Sequence, residues 1–280
     1  MGLKVQNLVK SFWRKEVGTI PVLNNISLEV KDGEFACVVG PSGCGKSTLL
    51  SIIAGLTKPD AGNVCVNDSC VFEPSSERVI LFQEPTLFPW MTVLENVIFS
   101  LKAKSLKKQN KQDIAIGVLK KVHLGKFINA FPHELSSGMK QRVAIARALA
   151  MDPKILLMDE PFSLVDDQTR FMLHYEIQAI LKETQKTVLF VTSSIEEAVC
   201  LADKLFVFSS RPAAIISEHS INFPRPRRET EPQLIFLQDH IGTILEKEFE
   251  KVAKEEMDIE YVLTKSGVLV PFDRNLGSNI

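Results

Sequence analysis

The most constraining feature of this sequence is a glycine-rich loop that follows an apolar run near residue 40. The apolar run is Phe35–Val39, and the loop reads Gly40, Pro41, Ser42, Gly43, Cys44, Gly45, Lys46, Ser47 and Thr48. This spacing matches the phosphate-binding loop that joins a buried strand to a helix. We expect backbone N–H groups to surround phosphate oxygens, Lys46 to contact the β- and γ-phosphates, and Ser47 to hold Mg²⁺. Residues 40–48 are therefore predicted to bind a nucleoside triphosphate.

Three more short apolar runs, at residues 79–82, 155–158 and 188–191, each lead into a loop and then a helical pattern. Runs this short and this apolar are typical of strands buried on both faces. Their alternation with helices predicts an α/β fold around a mainly parallel sheet.

Two carboxylates end the strand predicted at residues 155–158. Asp159 is placed to hold Mg²⁺ through water, and Glu160 is placed to polarise an attacking water. Strands often end in acidic residues, so the pair gains its significance from the phosphate loop in the same chain. We interpret Asp159 as a metal-binding residue and Glu160 as a catalytic residue.

Composition narrows the functional classes. The 280 residues carry 33 basic and 34 acidic side chains, so the net charge of −1 gives no reason to expect nucleic acid as a partner. Five irregularly spaced cysteines favour a reducing compartment over a disulfide framework. No signal peptide is visible, and no apolar run approaches the ~18 residues of a membrane span. A pore for transport would have to come from another chain.

Residues 92–151 differ from the alternating pattern, because they read as helices at 93–101, 111–123 and 138–150. They predict a helical subdomain, at about residues 85–151, inserted into the α/β core. The stretch 102–121 is rich in lysine, which we interpret as a solvated helical face; proximity to anionic headgroups is the alternative.

Composition changes again after residue 228. Residues 1–228 carry a net charge of +5 and residues 229–280 a net charge of −6. Apolar residues at 234, 237, 241, 245, 249 and 252 predict an amphipathic helix, and runs at 261–264 and 268–272 predict a hairpin. We therefore divide the chain into a nucleotide-binding domain, 1–228, and a small α+β C-terminal extension, 229–280. The extension is interpreted as packed on the core or on a dimer partner, and a regulatory role is the alternative.

A set of ordered motifs resembles the ABC-type ATPases. Residues 135–142 resemble the signature motif of that family, with Ser136, Ser137, Gly138 and Met139 at its centre. Gln83 resembles the Q-loop glutamine, Asp166 resembles the D-loop aspartate, and Phe12 resembles the adenine-stacking aromatic, with Trp13 as the other candidate. The resemblance covers about residues 1–228. It implies the P-loop ABC ATPase fold, with a RecA-like mainly parallel core, an N-terminal antiparallel β part and an inserted helical subdomain.

A finer resemblance is to the ATPases of nitrate/sulfonate/taurine-type importers, and it is carried by residues 87–93, 210–212 and 224–227 and by Met139. It implies an energy-coupling subunit of an importer for a small anionic solute, cytoplasmic and peripheral on the inner face of the membrane. The implied partners are a transmembrane permease seated on residues 83–96 and, indirectly, a solute-binding protein; no nucleic acid is implied.

The resemblance also implies a head-to-tail dimer, homomeric or heteromeric, that encloses two ATP molecules with Mg²⁺. The signature residues 136–139 of one subunit would contact the ATP bound by the other. Gln83 would join Ser47 and Asp159 at the metal, and would act in catalysis with Lys46 and Glu160.

Two residues depart from the family pattern. Ser193 stands at the switch position, where the family has a histidine that contacts the γ-phosphate, and Ser137 stands where the signature has its first glycine. Serine donates one hydrogen bond and carries no charge. Loss of a transition-state donor costs about 10²–10³ in rate. The Cβ of Ser137 is expected to crowd the phosphate or to strain the backbone.

These departures lead us to expect ATP binding with slowed hydrolysis. The alternative is a hydrolysis-poor regulatory subunit, or the degenerate half of a heterodimeric ATPase pair. A non-transport ABC ATPase acting on DNA or ribosomes fits less well, because no coiled-coil insertion, tandem cassette or basic surface is visible in the sequence.

Overall fold

The computed structural model describes residues 2–15, 18–67, 69–104, 106–257, 261–263 and 269–271. Its strands are β1 (Leu3–Arg14), β2 (Gly18–Val30), β3 (Phe35–Val39), β4 (Ala61–Val66), β5 (Ser69–Cys70), β6 (Arg78–Leu81), β7 (Ile155–Asp159), β8 (Thr187–Thr192), β9 (Lys204–Phe208), β10 (Ile215–Ser220), β11 (Tyr261–Leu263) and β12 (Leu269–Pro271). Its α-helices are α1 (Lys46–Ile53), α2 (Val93–Ser100), α3 (Lys108–Lys121), α4 (Ser137–Ala150), α5 (Asp167–Thr184), α6 (Ile195–Leu201) and α7 (Pro232–Met257).

A six-stranded sheet in the order β10-β9-β3-β8-β7-β6 forms the centre of the molecule. Neighbouring strands from β9 to β6 are parallel, and β10 is the antiparallel edge. Every residue of β3 and β8 is buried. The four strands predicted from apolar runs therefore lie together in one mainly parallel sheet. Its β3, β7 and β8 end at the same edge, beside residues 40, 160 and 193.

The alternation of side chains along β3 divides the core into two layers. Phe35, Cys37 and Val39 pack with α2, α4, α5, α6 and α7 on one face. Ala36 and Val38 pack on the other face with α1 and with an antiparallel sheet in the order β2-β1-β4-β5. The antiparallel sheet is the N-terminal β part implied by the resemblance.

Helices α2, α3 and α4 lie between β6 and β7 in the chain and pack on one another. Helix α2 begins with a capping box, in which Thr92 Oγ1 accepts from the Glu95 N–H at 3.3 Å and Glu95 Oε2 accepts from the Thr92 N–H at 2.8 Å. Helix α3 runs over residues 108–121 rather than 111–123. Its first turn is exposed and polar, so apolar spacing could not indicate it, and its end is set by His123, whose φ is +60°.

The C-terminal extension contains the predicted helix, α7, which packs on α6 and buries Leu234, Ile241 and Leu245. Strands β11 and β12 pair antiparallel, as a hairpin requires, with Val262 opposite Val270. The predicted turn and the hairpin residues 264, 268 and 272 lie outside the described residues. Within the described ranges, no helix combines the length and the apolar character needed to cross a bilayer.

Asn96 offers a direct test of the helical insertion. It is fully buried; its Oδ1 accepts from the Phe88 N–H at 2.9 Å, and its Nδ2 donates to the carbonyls of Phe88, Met91 and Thr92. Asn96→Ala removes all four of these bonds and leaves the Phe88 N–H and the Met91 carbonyl without this partner, so we expect the free energy of unfolding to fall by about 2–3 kcal/mol. Urea denaturation measures the change.

The matched control is Asn110→Ala, at an exposed position of α3, where stability should stay within about 0.5 kcal/mol. Equal stability of the two variants would contradict the role given to Asn96.

Candidate functional site

A cavity of about 420 Å³ opens at the edge of the central sheet where β3 and β7 end. Residues from six separate parts of the chain line it: Phe12, Arg14, Val22, Ser42, Gly43, Gly45, Lys46, Ser47, Thr48, Gln83, Asp159, Glu160 and Arg211. Ligands of open α/β sheets bind at this edge, outside the carboxyl ends of the strands. A larger cavity of about 540 Å³ lies between α3, α5 and residues 225–226, and the phosphate loop does not line it.

The phosphate loop is shaped by close contact with β2. Gly45 has a φ of +126°, and a Cβ there would meet Val22 Cγ1 and Leu23 Cδ2 at 2.9 Å. Lys46 is buried, and its Nζ donates to the carbonyls of Gly40 and Pro41 at 2.9 and 3.0 Å. The loop's own carbonyls therefore hold its lysine in place.

Cys44 differs from its neighbours in the loop. Its side chain is buried in the core layer between the central sheet, α1 and the antiparallel sheet, and it does not line the cavity. Burial raises the pKa of its thiol. Its contribution to the loop is thus packing, together with the backbone bond from its N–H to the Pro41 carbonyl.

Ser47 and Asp159 meet in the cavity, where Ser47 Oγ donates to Asp159 Oδ1 at 2.9 Å. Burial raises the pKa of Asp159 most strongly and Glu160 adds to this, whereas Ser47 and Lys46 oppose it. Hard oxygen donors of this kind suit Mg²⁺, which needs one or two protein ligands beside substrate phosphates and water. Within the described residues, no group of three or more His, Cys, Asp and Glu side chains is placed to hold a metal without a substrate.

Glu160 occupies a sparsely populated backbone conformation, with a φ of +41°. Its N–H donates to the Val191 carbonyl at 2.9 Å, which ties it to β8. Its Oε1 lies 3.4 Å from Lys46 Nζ, and its Oε2 accepts from Ser193 Oγ at 3.1 Å. The residue predicted to activate water thus contacts both the phosphate-loop lysine and the serine at the switch position.

The signature residues lie apart from this cavity. Ser136 caps α4, its Oγ accepting from the Met139 N–H at 3.3 Å, and Ser136 and Ser137 are exposed. Gly138 packs so closely that a Cβ would meet Thr169 Cγ2 at 2.3 Å. Ser137 has no positive φ, so the backbone strain expected there is not present, and its crowding of a phosphate stays a prediction. Asp166 caps α5 by accepting from the Thr169 N–H at 3.0 Å.

Three cavity residues, Arg14, Val22 and Arg211, have no role assigned from the sequence. Arg14, at the end of β1, has no local pattern that could have identified it. Arg211 lies in the segment 210–212 that carries the finer resemblance, which assigns it no role. Phe12 lines the cavity and Trp13 does not, which favours Phe12 as the aromatic beside the phosphate loop. Trp13 is 70% exposed.

The profile of the family described as ABC transporter matches residues 23–163, half of the chain. This chain belongs to the ABC transporter family. It is an ABC-type ATP-binding subunit and an ATPase.

Several relatives resemble this ABC subunit over most of its length. An uncharacterised ABC transporter ATP-binding protein of Methanocaldococcus jannaschii is 46% identical over 252 residues, 90% of this chain and 94% of that protein. The nitrate import ATP-binding protein of Synechocystis is 43% identical, covering 88% and 95%. An aliphatic sulfonates import ATP-binding protein of Bacillus anthracis is 41% identical, covering 80% and 89%.

Solved structures give the same family. A dimeric bacterial ABC transporter cassette superposes with a TM-score of 0.70 at 32% identity, over 79% of this chain and 100% of that one. A dimeric post-hydrolysis cassette bound to ADP and phosphate superposes with a TM-score of 0.68 at 31% identity, with the same coverage. The fold predicted from the motifs, the P-loop ABC ATPase fold, is confirmed.

The raised pKa of Asp159 predicts how this carboxyl group affects the stability of the ABC subunit. A carboxyl group with a raised folded pKa stabilises the fold below its ordinary value of 3.8, and this stability is lost as the pH rises through the folded pKa. At pH 7 the charged Asp159 therefore costs stability, and Asp159→Asn should raise the melting temperature of the nucleotide-free protein. Thermal unfolding followed by circular dichroism measures it.

Asp60→Asn is the matched control, with the opposite sign. Hydrogen bonds from Lys10 and from the Ser11 N–H lower the pKa of Asp60, so its charge is stabilising at pH 7. That variant should melt at a lower temperature than the native chain. Two shifts of the same sign would contradict the electrostatic interpretation.

Proposed function

We propose that this chain is the energy-coupling ATPase subunit of an importer for a small anionic solute, acting at the inner face of a membrane beside a separate permease. The observation that carries the proposal is the single cavity that joins the phosphate loop to Gln83, Asp159 and Glu160. The solute class is supported by relatives that are named for nitrate and for aliphatic sulfonates.

A head-to-tail dimer is part of the proposal. The signature residues Ser136 and Ser137 are exposed and do not line the cavity of their own chain. A second subunit, identical or different, is needed to bring such residues against the ATP. The N-terminus of α4 would then direct its exposed N–H groups and its positive dipole end at the γ-phosphate.

Within the site, each side chain has a distinct task. Lys46 neutralises the β- and γ-phosphates, and Phe12 supports the adenine. Glu160 orients the attacking water and takes its proton, with Gln83 beside it. Ser47, Asp159 and Gln83 would hold Mg²⁺, which supplies charge neutralisation on the phosphates when it is bound.

The permease is proposed to sit on residues 83–96. Trp90 is 70% exposed there, and the Phe88 ring lies 5.6 Å from Trp90 and 4.5 Å from Phe99 between ring centroids. The Arg147 guanidinium lies 5.4 Å from the Phe88 ring and donates to the Thr86 carbonyl at 2.8 Å. An apolar surface on a fixed backbone suits a helix from another chain.

Slow turnover is proposed from Ser193. Its hydroxyl reaches Glu160, so it can hold the general base, but it brings no imidazole to the γ-phosphate. The second candidate, a subunit that binds ATP and scarcely hydrolyses it, is favoured by the same residue. In a heterodimer, the defect would affect one of the two sites.

Calorimetric titration with ATP tests the proposal at its base. We expect binding that depends on Mg²⁺, and its absence would overturn the proposal.

Glu160→Gln should retain this affinity but lower kcat at least about 10²-fold, because the amide cannot accept the proton. Glu246→Gln, at an exposed position of α7, controls for loss of a charge and should keep the native rate. Unchanged hydrolysis in Glu160→Gln would remove Glu160 from the mechanism.

The switch position has its own test. Ser193→His restores the donor that the family pattern has, so we expect steady-state hydrolysis to rise by about tenfold or more. Ser194 is the neighbouring position, and Ser194→His is the control, which should not raise the rate because Ser194 caps α6. No gain from Ser193→His would show that Ser193 does not limit turnover.

A further inference from the structure

Arg211 lines the cavity and lies on a loop outside the strands of the central sheet. The loop, residues 209–214, connects β9 to β10. On one side it is bound to β2, since the Ala213 N–H donates to the Val22 carbonyl and the Asn24 N–H donates to the Ala213 carbonyl, both at 2.8 Å. Because Val22 also lines the cavity, this contact places Arg211 beside the wall that carries Phe12.

The other side of the loop is bound to the C-terminal extension. Glu248 of α7 accepts with Oε2 from the Ser210 N–H at 2.7 Å and from Ser210 Oγ at 2.8 Å. Its Oε1 accepts from Lys251 Nζ at 2.6 Å. Glu248 is 6% exposed. Burying a carboxylate costs free energy unless it is hydrogen-bonded, so we expect Glu248 to keep its bonds to Ser210. These bonds fix the residue next to Arg211.

The charge of Arg211 is available to a ligand. Among the described residues, no carboxylate lies within ion-pair distance of it. The cavity lining brings it together with Lys46 and Arg14, against the two carboxylates of Asp159 and Glu160. An arginine beside the wall that carries Phe12 suits the α-phosphate and ribose of a nucleotide.

We propose that Arg211 is a nucleotide-binding residue and that Glu248 is a positioning residue acting through Ser210, so that α7 sets the affinity for nucleotide. This rests on the proposed function, since the cavity must bind ATP. ATP and ADP share the α-phosphate and ribose. The contact therefore contributes equally to both, and it stabilises bound substrate and transition state alike.

The test uses the full chain with Mg-ATP and with Mg-ADP as probes in calorimetry. Arg211→Ala should raise both dissociation constants by about tenfold and raise KM, with kcat at saturating ATP unchanged. Glu248→Ala should raise both by about three- to fivefold, and Glu248→Gln by less, because the amide oxygen still accepts from Ser210. Glu246→Ala, an exposed glutamate two residues away on the same helix, should bind as the native chain does.

The double variant Arg211→Ala with Glu248→Ala decides how Glu248 acts. If Glu248 works through Arg211, the double variant binds no more weakly than Arg211→Ala alone. Additive losses would overturn the positioning role. Thermal unfolding accompanies each variant, and if Glu248→Ala unfolds, Glu248→Gln takes its place in the cycle.

The native chain separates this inference from the proposed function. If it fails to bind Mg-ATP, the proposed function fails. If it binds Mg-ATP and Arg211→Ala binds equally well, the inference alone is overturned. A loss of kcat at unchanged KM in Arg211→Ala would also overturn it, because that result belongs to a residue acting in the chemical step.

Discussion

The Lys46 ammonium is 4% exposed, and a cation in such a place destabilises the fold unless other groups compensate for its lost hydration. Two carbonyls of its own loop and the Glu160 carboxylate supply that compensation. The loop can do so only in the shape that Gly45 permits, pressed against β2. The antiparallel sheet, the phosphate loop and the end of β7 are therefore parts of one arrangement around a single charge. Its practical result is that three groups hold Lys46 at the phosphate loop.

Glu160 joins two parts of the site because its carboxylate contacts both Lys46 and Ser193. In the proposed mechanism Lys46 contacts the β- and γ-phosphates, so we expect nucleotide binding to weaken its contact with Glu160. The bond to Ser193 would continue to hold Glu160 at the site. In the proposed mechanism the Ser193 hydroxyl is sufficient to hold Glu160 but brings no charge to the γ-phosphate. Serine at this position would therefore keep Glu160 in place while weakening the stabilisation of charge on the phosphate.

Much of this arrangement could be predicted from the sequence because its parts are local. The loop at residues 40–48 carries its own pattern, and β3, β7 and β8 are short enough and apolar enough to be recognised as buried strands. Arg14 and the bond between Ser210 and Glu248 could not be predicted. Ser210 and Glu248 lie 38 residues apart in the chain, and no periodicity links them. The first turn of α3 could not be predicted for a different reason, because its exposed polar residues show no apolar periodicity.

Behind the switch position, a second polar chain leads to the C-terminal extension. Thr192 Oγ1 donates to Glu197 Oε2 at 2.6 Å, and Glu197 Oε1 lies 3.5 Å from Nε2 of the buried His174, whose Nδ1 lies 3.1 Å from Glu229 Oε1. Burial alone would lower the pKa of His174, but Glu197 and Glu229 outweigh burial and raise it. The composition changes at residue 228, yet polar contacts join the two sides of that boundary at Glu229 and again at Glu248. The contacts of Glu229 lead to Thr192 at the end of β8, and those of Glu248 lead to Ser210 after β9. The extension therefore helps to hold the loops at the edge of the central sheet where the cavity lies.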